Sequence, residues 1–259
     1  MYQLSALEAA LAGSIFAGKV HFSPVTDSTN SDALAAARNG APHSSVWLAD
    51  EQLAGRGRGG NAWQSAAGEG LYVSVLLRLE VAADRLLLLP LAAGLAAADA
   101  IGAVAGAAVD LRWPNDLLIG PRKTGGILVE ANGDPGRLAV VGIGINVHQR
   151  AFEPGLATPA TSLDLAAGHT VSRQSLLITL LKSLEREAHR LRDSAEAAEI
   201  PARVEAASTW VRGRRVEVHG PQACTGVTDG LDSHGFLRVK TAAGPVTVQT
   251  GGIRSPEID

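Results

Sequence analysis

The chain has 259 residues, 46% of them hydrophobic, with a formal net charge of −3. That is ample apolar sequence for a large core, so one large domain and one small one are expected, and the slightly acidic balance argues against bulk nucleic-acid binding. A single cysteine, Cys224, excludes a disulfide framework or a Cys-based zinc site within one chain and fits a reducing cytoplasm.

The N-terminal stretch MYQLSALEAALAGSIFAGK lacks the basic start and long apolar core of a signal peptide. Residues 4–12 read as a short helix, with Ser5 and Glu8 at capping-box spacing and Leu7 and Leu11 on one face. VHFSPV (20–25) reads as a short strand broken by Pro24. DSTN, Asp27 to Asn30, then leads into a helix ending at Asn39-Gly40, and the plain reading of Ser28 and Thr29 is helix capping. SVWLADE (45–51) has the character of a buried strand. Residues 71–79 form another, with Val73, Val75 and Leu77 on one face. Ala83 to Val104 reads as one alanine-rich core helix with Pro90 near its start. A membrane span would need about 20 strongly apolar residues, so no membrane association is expected.

Further on, VDLRWPNDLLIG (109–120) predicts strand, turn, strand, with Pro114 and Asn115 in the turn. PRKTGGILVEA (121–131) is a loop running into a strand, and GRLAVVGIGINV (136–147) is a second strand facing it across NGDPG. Such short turns imply an antiparallel or mixed sheet. Residues 149–172 are loop-rich, Arg173 to Leu191 is an amphipathic helix, and a further helix is expected over 195–209. After Arg212 come four short strands, a small β-barrel, which divides the chain into 1–210 and 211–259.

The most distinctive stretch is EQLAGRGRGGNAW (51–63), with four glycines and two arginines in six consecutive residues. Glycines let a backbone turn its N–H groups toward an anion, and arginines add forked positive charge, so the segment reads as a phosphate or carboxylate loop. Although GRGRGG matches G-x-G-x-x-G, no helix opens at it, which argues against a dinucleotide fold; the P-loop signature is absent too. RWPND (112–116) fits either a plain hairpin turn or a nucleotide site, with Arg112 for phosphates, Asn115 for polar recognition, and Asp116 for a magnesium ion or an arginine partner. Lys123, read as a loop residue, could bring a point charge to a transferring acyl-phosphate. GIGIN ends a strand at Asn146.

Taken in order, DSTN, EQLAGRGRGGNAW, RWPND, RKTGGILVE and GIGIN resemble the biotin–protein ligases, from about residue 20 to 147 and more loosely beyond. The resemblance implies an α+β fold: a mixed sheet with helices like that of class II aminoacyl-tRNA synthetases, plus a small C-terminal SH3-like barrel. It implies activation of biotin with ATP and Mg2+ to biotinyl-5′-AMP, then transfer to a lysine of a biotin carboxyl carrier domain. By the same resemblance, Ser28, Thr29, Asn30, Gln52, Gly55, Gly126 and Ile127 hold biotin. Arg56 and Arg58 close over it, and Lys123 meets the carboxylate and α-phosphate. Trp63 packs on adenine, Arg112, Asn115 and Asn146 serve the nucleotide, and Asp116 is the candidate metal ligand. Relatives that repress transcription carry an N-terminal winged helix, for which no room precedes Asp27, so no DNA binding is expected; some relatives form homodimers. A lipoate or octanoate ligase of the same fold is the nearest alternative. This chain has Arg112 where the family usually has lysine, Gly59 where a larger residue is common, and Thr124-Gly125 where leucine-alanine is usual.

Overall fold

A computed structural model describes residues 2–131 and 138–256. In chain order the elements are α1 (Leu4–Leu11), β1 (Val20–Thr26), α2 (Thr29–Arg38), β2 (Val46–Gln52), β3 (Gly70–Arg78), α3 (Ala83–Leu86), α4 (Leu89–Ala105), β4 (Asp110–Arg112), β5 (Asp116–Ile119), β6 (Arg122–Ala131) and β7 (Leu138–Asn146). There follow α5 (Leu163–Ala167), α6 (Arg173–Arg192), α7 (Ser194–Ala198), α8 (Ile200–Ala206), β8 (Arg212–His219), β9 (Cys224–Leu231), β10 (Leu237–Thr241), β11 (Gly244–Val248) and β12 (Gly252–Arg254). The expected NGDPG turn, at 132–136, lies outside the described residues.

The first seven strands form one sheet in the order β1-β2-β3-β7-β6-β5-β4. β1 and β2, joined by the crossover helix α2, pair in parallel, and every other neighbouring pair of this sheet is antiparallel. The pairs β4–β5, β5–β6 and β6–β7 join strands consecutive in sequence, β3 pairs antiparallel with the distant β7, and the sheet is mixed, as the short turns predict. The last five strands form an antiparallel sheet in the order β11-β10-β9-β8-β12.

The sequence pattern explains which face is covered. On β3, Val73, Val75 and Leu77 point into the main core, and on β7 Ala139, Val141, Ile143 and Ile145 join them. The helices α4 and α6 supply the other wall through Leu91, Leu95, Ile101, Leu177, Leu180 and Leu184. The same cluster continues into Val216, Val218, Leu231 and Val239 of the second sheet, so both sheets share one apolar core. On the opposite face only Ala33, Ala37, Leu76 and Val140 pack together beneath α2. The rest of that face is open, and it carries the site.

Several local expectations need correcting. The helix expected over 83–104 breaks between α3 and α4, and Pro90 sits in the first turn of α4, where a missing N–H costs nothing. The helix over 195–209 likewise splits at Glu199, ahead of Pro201. Ser5 does not cap α1, because the helix starts one residue before it; Glu8 Oε2 instead accepts from the Gly18 N–H at 3.0 Å. Pro24 does not end β1, since β1 is an edge strand on which a missing donor is tolerated. The second sheet has five strands, the extra one being β12, and the stretch 149–172 contains α5. Among the described residues no helix is long and apolar enough to cross a membrane.

Leu180 lies on the buried face of α6 and is fully enclosed. Leu180→Ala is expected to lower unfolding stability by roughly 2–5 kcal/mol through lost burial and a residual cavity, measured as a shift in the denaturant midpoint at constant slope.

Candidate active site

Glycines on the central strands create the space for the site. Gly142 and Gly144 alternate with the core-facing residues of β7 and so face the open side. A Cβ at Gly142 would stand 2.2 Å from Asn30 Oδ1, and one at Gly144 would stand 2.6 Å from Trp63 Nε1. Only glycine lets the start of α2 and the Trp63 indole lie directly on the sheet. A cavity of about 830 Å³ spreads over this floor.

One end of the cavity is neutral and hydrogen-bonding. Ser28 and Thr29 stand at the N-terminus of α2; neither the expected Ser28 side-chain cap nor any other side-chain cap forms there. Instead the Thr29 N–H donates to Gln52 Oε1 at 2.9 Å, and Gln52 Nε2 donates to Ser65 Oγ at 2.8 Å. Asn30 is held by Ser74, whose hydroxyl donates to Asn30 Oδ1 at 2.5 Å, and by Glu130, whose Oε2 accepts from Asn30 Nδ2 at 2.8 Å.

The other end is charged. Asp116 accepts from Arg112 at 2.5 Å and pairs through its other oxygen with Lys123 Nζ at 2.6 Å. Burial alone would raise the Asp116 pKa, but Lys123 and Arg112 overcompensate and hold it below the usual carboxylate range. Arg112 also donates to Thr158 Oγ1 at 2.9 Å and lies over the Trp210 ring. Lys123 is not a loop residue: β6 begins at Arg122, and a bulge against β5 at Leu117/Leu118 aims its ammonium into the cavity, 5.5 Å from the centre of the Trp63 ring. Asn115 is anchored to β6 by donation from Nδ2 to Ile127 O at 2.8 Å, and Asn146 donates to Thr161 O at 3.1 Å.

The Gly/Arg loop covers the middle, turning at Arg58–Gly60 in a single 3-10 turn. Arg56 forms a two-pronged pair with Glu130, at 2.9 and 2.7 Å. Arg58 donates to Gly251 O at 2.9 Å, a carbonyl of the second sheet's last connection, and burial pushes its pKa down. Residues 219–221 and 250–254 of that sheet close the far wall.

Of the residues singled out in the sequence, fourteen line this one cavity: Ser28, Thr29, Asn30, Gln52, Arg56, Arg58, Trp63, Arg112, Asn115, Asp116, Lys123, Gly126, Ile127 and Asn146. Gly55 does not. A Cβ there would meet Trp63 O at 2.3 Å, so its part is to let the loop's two ends touch. Ile127 contributes backbone, while its side chain lies in the core on the opposite face. Asp116 is a poor metal ligand, because both its oxygens are bonded to cations, and no cluster of three His, Cys, Asp or Glu able to hold a metal occurs among the described residues. The sequence singles out neither Ser74 nor Glu130, and although a C-terminal barrel that helps position ATP or the carrier is expected from it, no residue of the C-terminal wall is. A serine in the apolar run LYVSVLL was the one available signal for Ser74.

The profile of the Biotin/lipoate A/B protein ligase family matches residues 22–147. The Paracoccus denitrificans biotin–[acetyl-CoA-carboxylase] ligase is 37% identical over 85% of this chain and 93% of that protein. The chain belongs to this family. It spans about half the length of the first curated relatives it matches: the bifunctional ligase/repressor BirA of Bacillus spizizenii is 38% identical over 64% of this chain and 52% of that protein. The family fold is matched as well. The Aquifex aeolicus biotin protein ligase, solved in complex with biotin and ATP, superposes with a TM-score of 0.79 at 29% identity, over 92% of this chain and 98% of that one.

Asp116→Asn removes the shared anion and leaves Arg112 and Lys123 facing each other. The variant is expected to be about 3 kcal/mol less stable at neutral pH. Because the folded pKa of Asp116 is depressed, the carboxylate's contribution is present above the unfolded value and lost as pH falls through the folded one. The gap between wild type and variant is therefore expected to narrow below about pH 4, as measured by urea unfolding across pH.

Proposed function

We propose that the chain is an ATP-dependent biotin–protein ligase that forms biotinyl-5′-AMP and passes biotin to a lysine of a biotin carboxyl carrier domain. The observation that carries this reading is the polarity of the 830 Å³ cavity. A neutral pocket of hydroxyl and amide groups (Ser28, Thr29, Gln52) suits an uncharged ureido ring. It runs directly into a stretch held by Arg56, Arg58 and Lys123, where a carboxylate and a triphosphate would meet. Two anions approach one another only with positive charge between them.

In the first step a biotin carboxylate oxygen attacks the α-phosphorus of ATP, the acyl–phosphate bond forms, and pyrophosphate leaves. Lys123, oriented by Asp116, offers its ammonium to the oxygens that gain charge. Arg112, Asn115 and Asn146 serve the nucleotide end, with Trp63 beside the join. In the second step the amine of an acceptor lysine attacks the acyl carbon and AMP leaves. The Gly/Arg loop keeps water from the mixed anhydride meanwhile. Mg2+ would come with the nucleotide phosphates and would add positive charge to the departing pyrophosphate while keeping several of its waters. Residues 1–210 form the ligase domain in this reading, and 211–259 a C-terminal domain that walls the nucleotide end. A cytoplasmic site of action fits the use of ATP and the lone cysteine.

The test is incubation with biotin, MgATP and an apo biotin carboxyl carrier domain, followed by mass spectrometry. One biotin on the acceptor lysine is expected. No transfer, or equal labelling with lipoate, overturns the reading. Lys123→Ala is expected to slow adenylate formation on the order of a hundredfold, as loss of one transition-state cation does, while calorimetry still detects biotin binding. Unchanged turnover would remove Lys123 from this role.

A further inference from the structure

Among the described residues, the segment 56–62 is tied to the rest of the protein by side-chain hydrogen bonds from two residues only. Its other bonds are internal: Gly57 N–H to Asn61 O at 2.7 Å, Asn61 to Arg58 O, and a bridge between Arg56 and Ala62. Arg58 ties it to Gly251 O, with Thr250 and Asn115 nearby. Arg56 ties it to Glu130 on β6, Nη1 donating to Oε1 and Nη2 to Oε2. Beneath the segment a hollow of about 380 Å³ lies between it and residues 128–130, so apolar packing contributes little there.

Glu130 is itself held. Its Oε2 accepts from Asn30 Nδ2 at 2.8 Å. Asn30 Oδ1 accepts from Ser74, and Ser74 Oγ lies 2.7 Å from Thr29 Oγ1, which lies 3.1 Å from Gln52 Oε1. The proton count fixes the direction. An amide oxygen carries no proton, so the Ser74 hydroxyl donates to Asn30 Oδ1, and the single Thr29 hydroxyl proton is shared between two acceptors, Ser74 Oγ and Gln52 Oε1. Ser74 is fully buried and Asn30 nearly so, which makes any alternative partner costly. A continuous chain of hydrogen bonds therefore runs Ser74–Asn30–Glu130–Arg56, from directly beneath the Thr29 hydroxyl of the neutral pocket to the loop.

We propose that Glu130 is a positioning residue: its carboxylate stands in for the ligand's anion and seats Arg56 over the cavity in the free protein, and Ser74 and Asn30 hold it at the right height. When an acyl carboxylate arrives, Arg56 exchanges one carboxylate for another and the loop does not have to be ordered from the start. The seating is a property of the free protein. The exchange rests on the function proposed above.

Trypsin reads the seating without any turnover, since Arg56 and Arg58 are its cleavage points. In the substrate-free full-length protein, Glu130→Gln is expected to raise the rate of cutting at 56–58 roughly three- to tenfold, the range for losing a partly exposed charged pair. Glu130→Asp, which keeps the charge, is expected to restore most of the protection. Ser74→Ala, which touches neither arginine, is expected to raise cutting as well. Thermal unfolding of each variant identifies the folded ones to compare. In carrier labelling, Glu130→Gln is expected to raise the KM for biotin several-fold more than it changes kcat. Unchanged cutting in Glu130→Gln overturns the seating, and unchanged cutting in Ser74→Ala overturns the link to the pocket. Failure of biotin transfer by the wild type, with the cutting results as expected, overturns the proposed function and leaves the seating standing.

Discussion

Two missing side chains make the site. At Gly142 and Gly144 the central strand has bare backbone where its neighbours carry branched aliphatics, and that gap admits the Asn30 amide and the Trp63 indole to the sheet surface. Once those are seated, the start of α2 and the returning end of the Gly/Arg loop are both fixed against one rigid platform. The alternation that turns Val141, Ile143 and Ile145 into the core turns the glycines outward, so core and site are two faces of one pattern.

Above that floor, the charges are arranged so that Arg56, Arg58, Arg112 and Lys123 each have an acceptor inside the protein. Asp116 serves Arg112 and Lys123, Glu130 serves Arg56, and the Gly251 carbonyl serves Arg58. A half-buried guanidinium with nothing to bond would be expensive to hold in place. The protein's own anions and carbonyls thus keep the positive groups pointed inward, at distances from which an incoming phosphate or carboxylate can take them over. The shared anion at Asp116 also suits an arginine at position 112. A guanidinium can bond Asp116 and Thr158 at once while its flat face lies over Trp210.

The main strands and the two long helices were readable because their apolar residues repeat at clear periods, as in Val73, Val75 and Leu77 or along α6. Helix interruptions were harder: Pro90 and Pro201 each mark the first turn of a new helix, and a pattern read through them merges two elements. The site was legible where residue types are unusual for their setting, as with arginines between glycines or a lysine beside them. It was not legible where an ordinary residue gains its meaning from a neighbour distant in sequence. Ser74 looks like a tolerated small residue until Asn30 lies beside it, and Glu130 looks like the polar end of a strand until Arg56 reaches it. Lys123 was assigned to a loop because the bulge that turns it inward leaves no trace in the hydrophobic pattern.

The bond from Arg58 to Gly251 joins residues 193 positions apart. A growing chain carries its glycine–arginine segment through most of its synthesis before that acceptor exists, and because the second sheet also supplies part of the common core, the platform itself is incomplete until β12 is laid down beside β8. The order of manufacture thus withholds the loop's outer tie until residue 251 has emerged, and a copy interrupted before it would keep the Arg56–Glu130 pair but leave Arg58 without this acceptor.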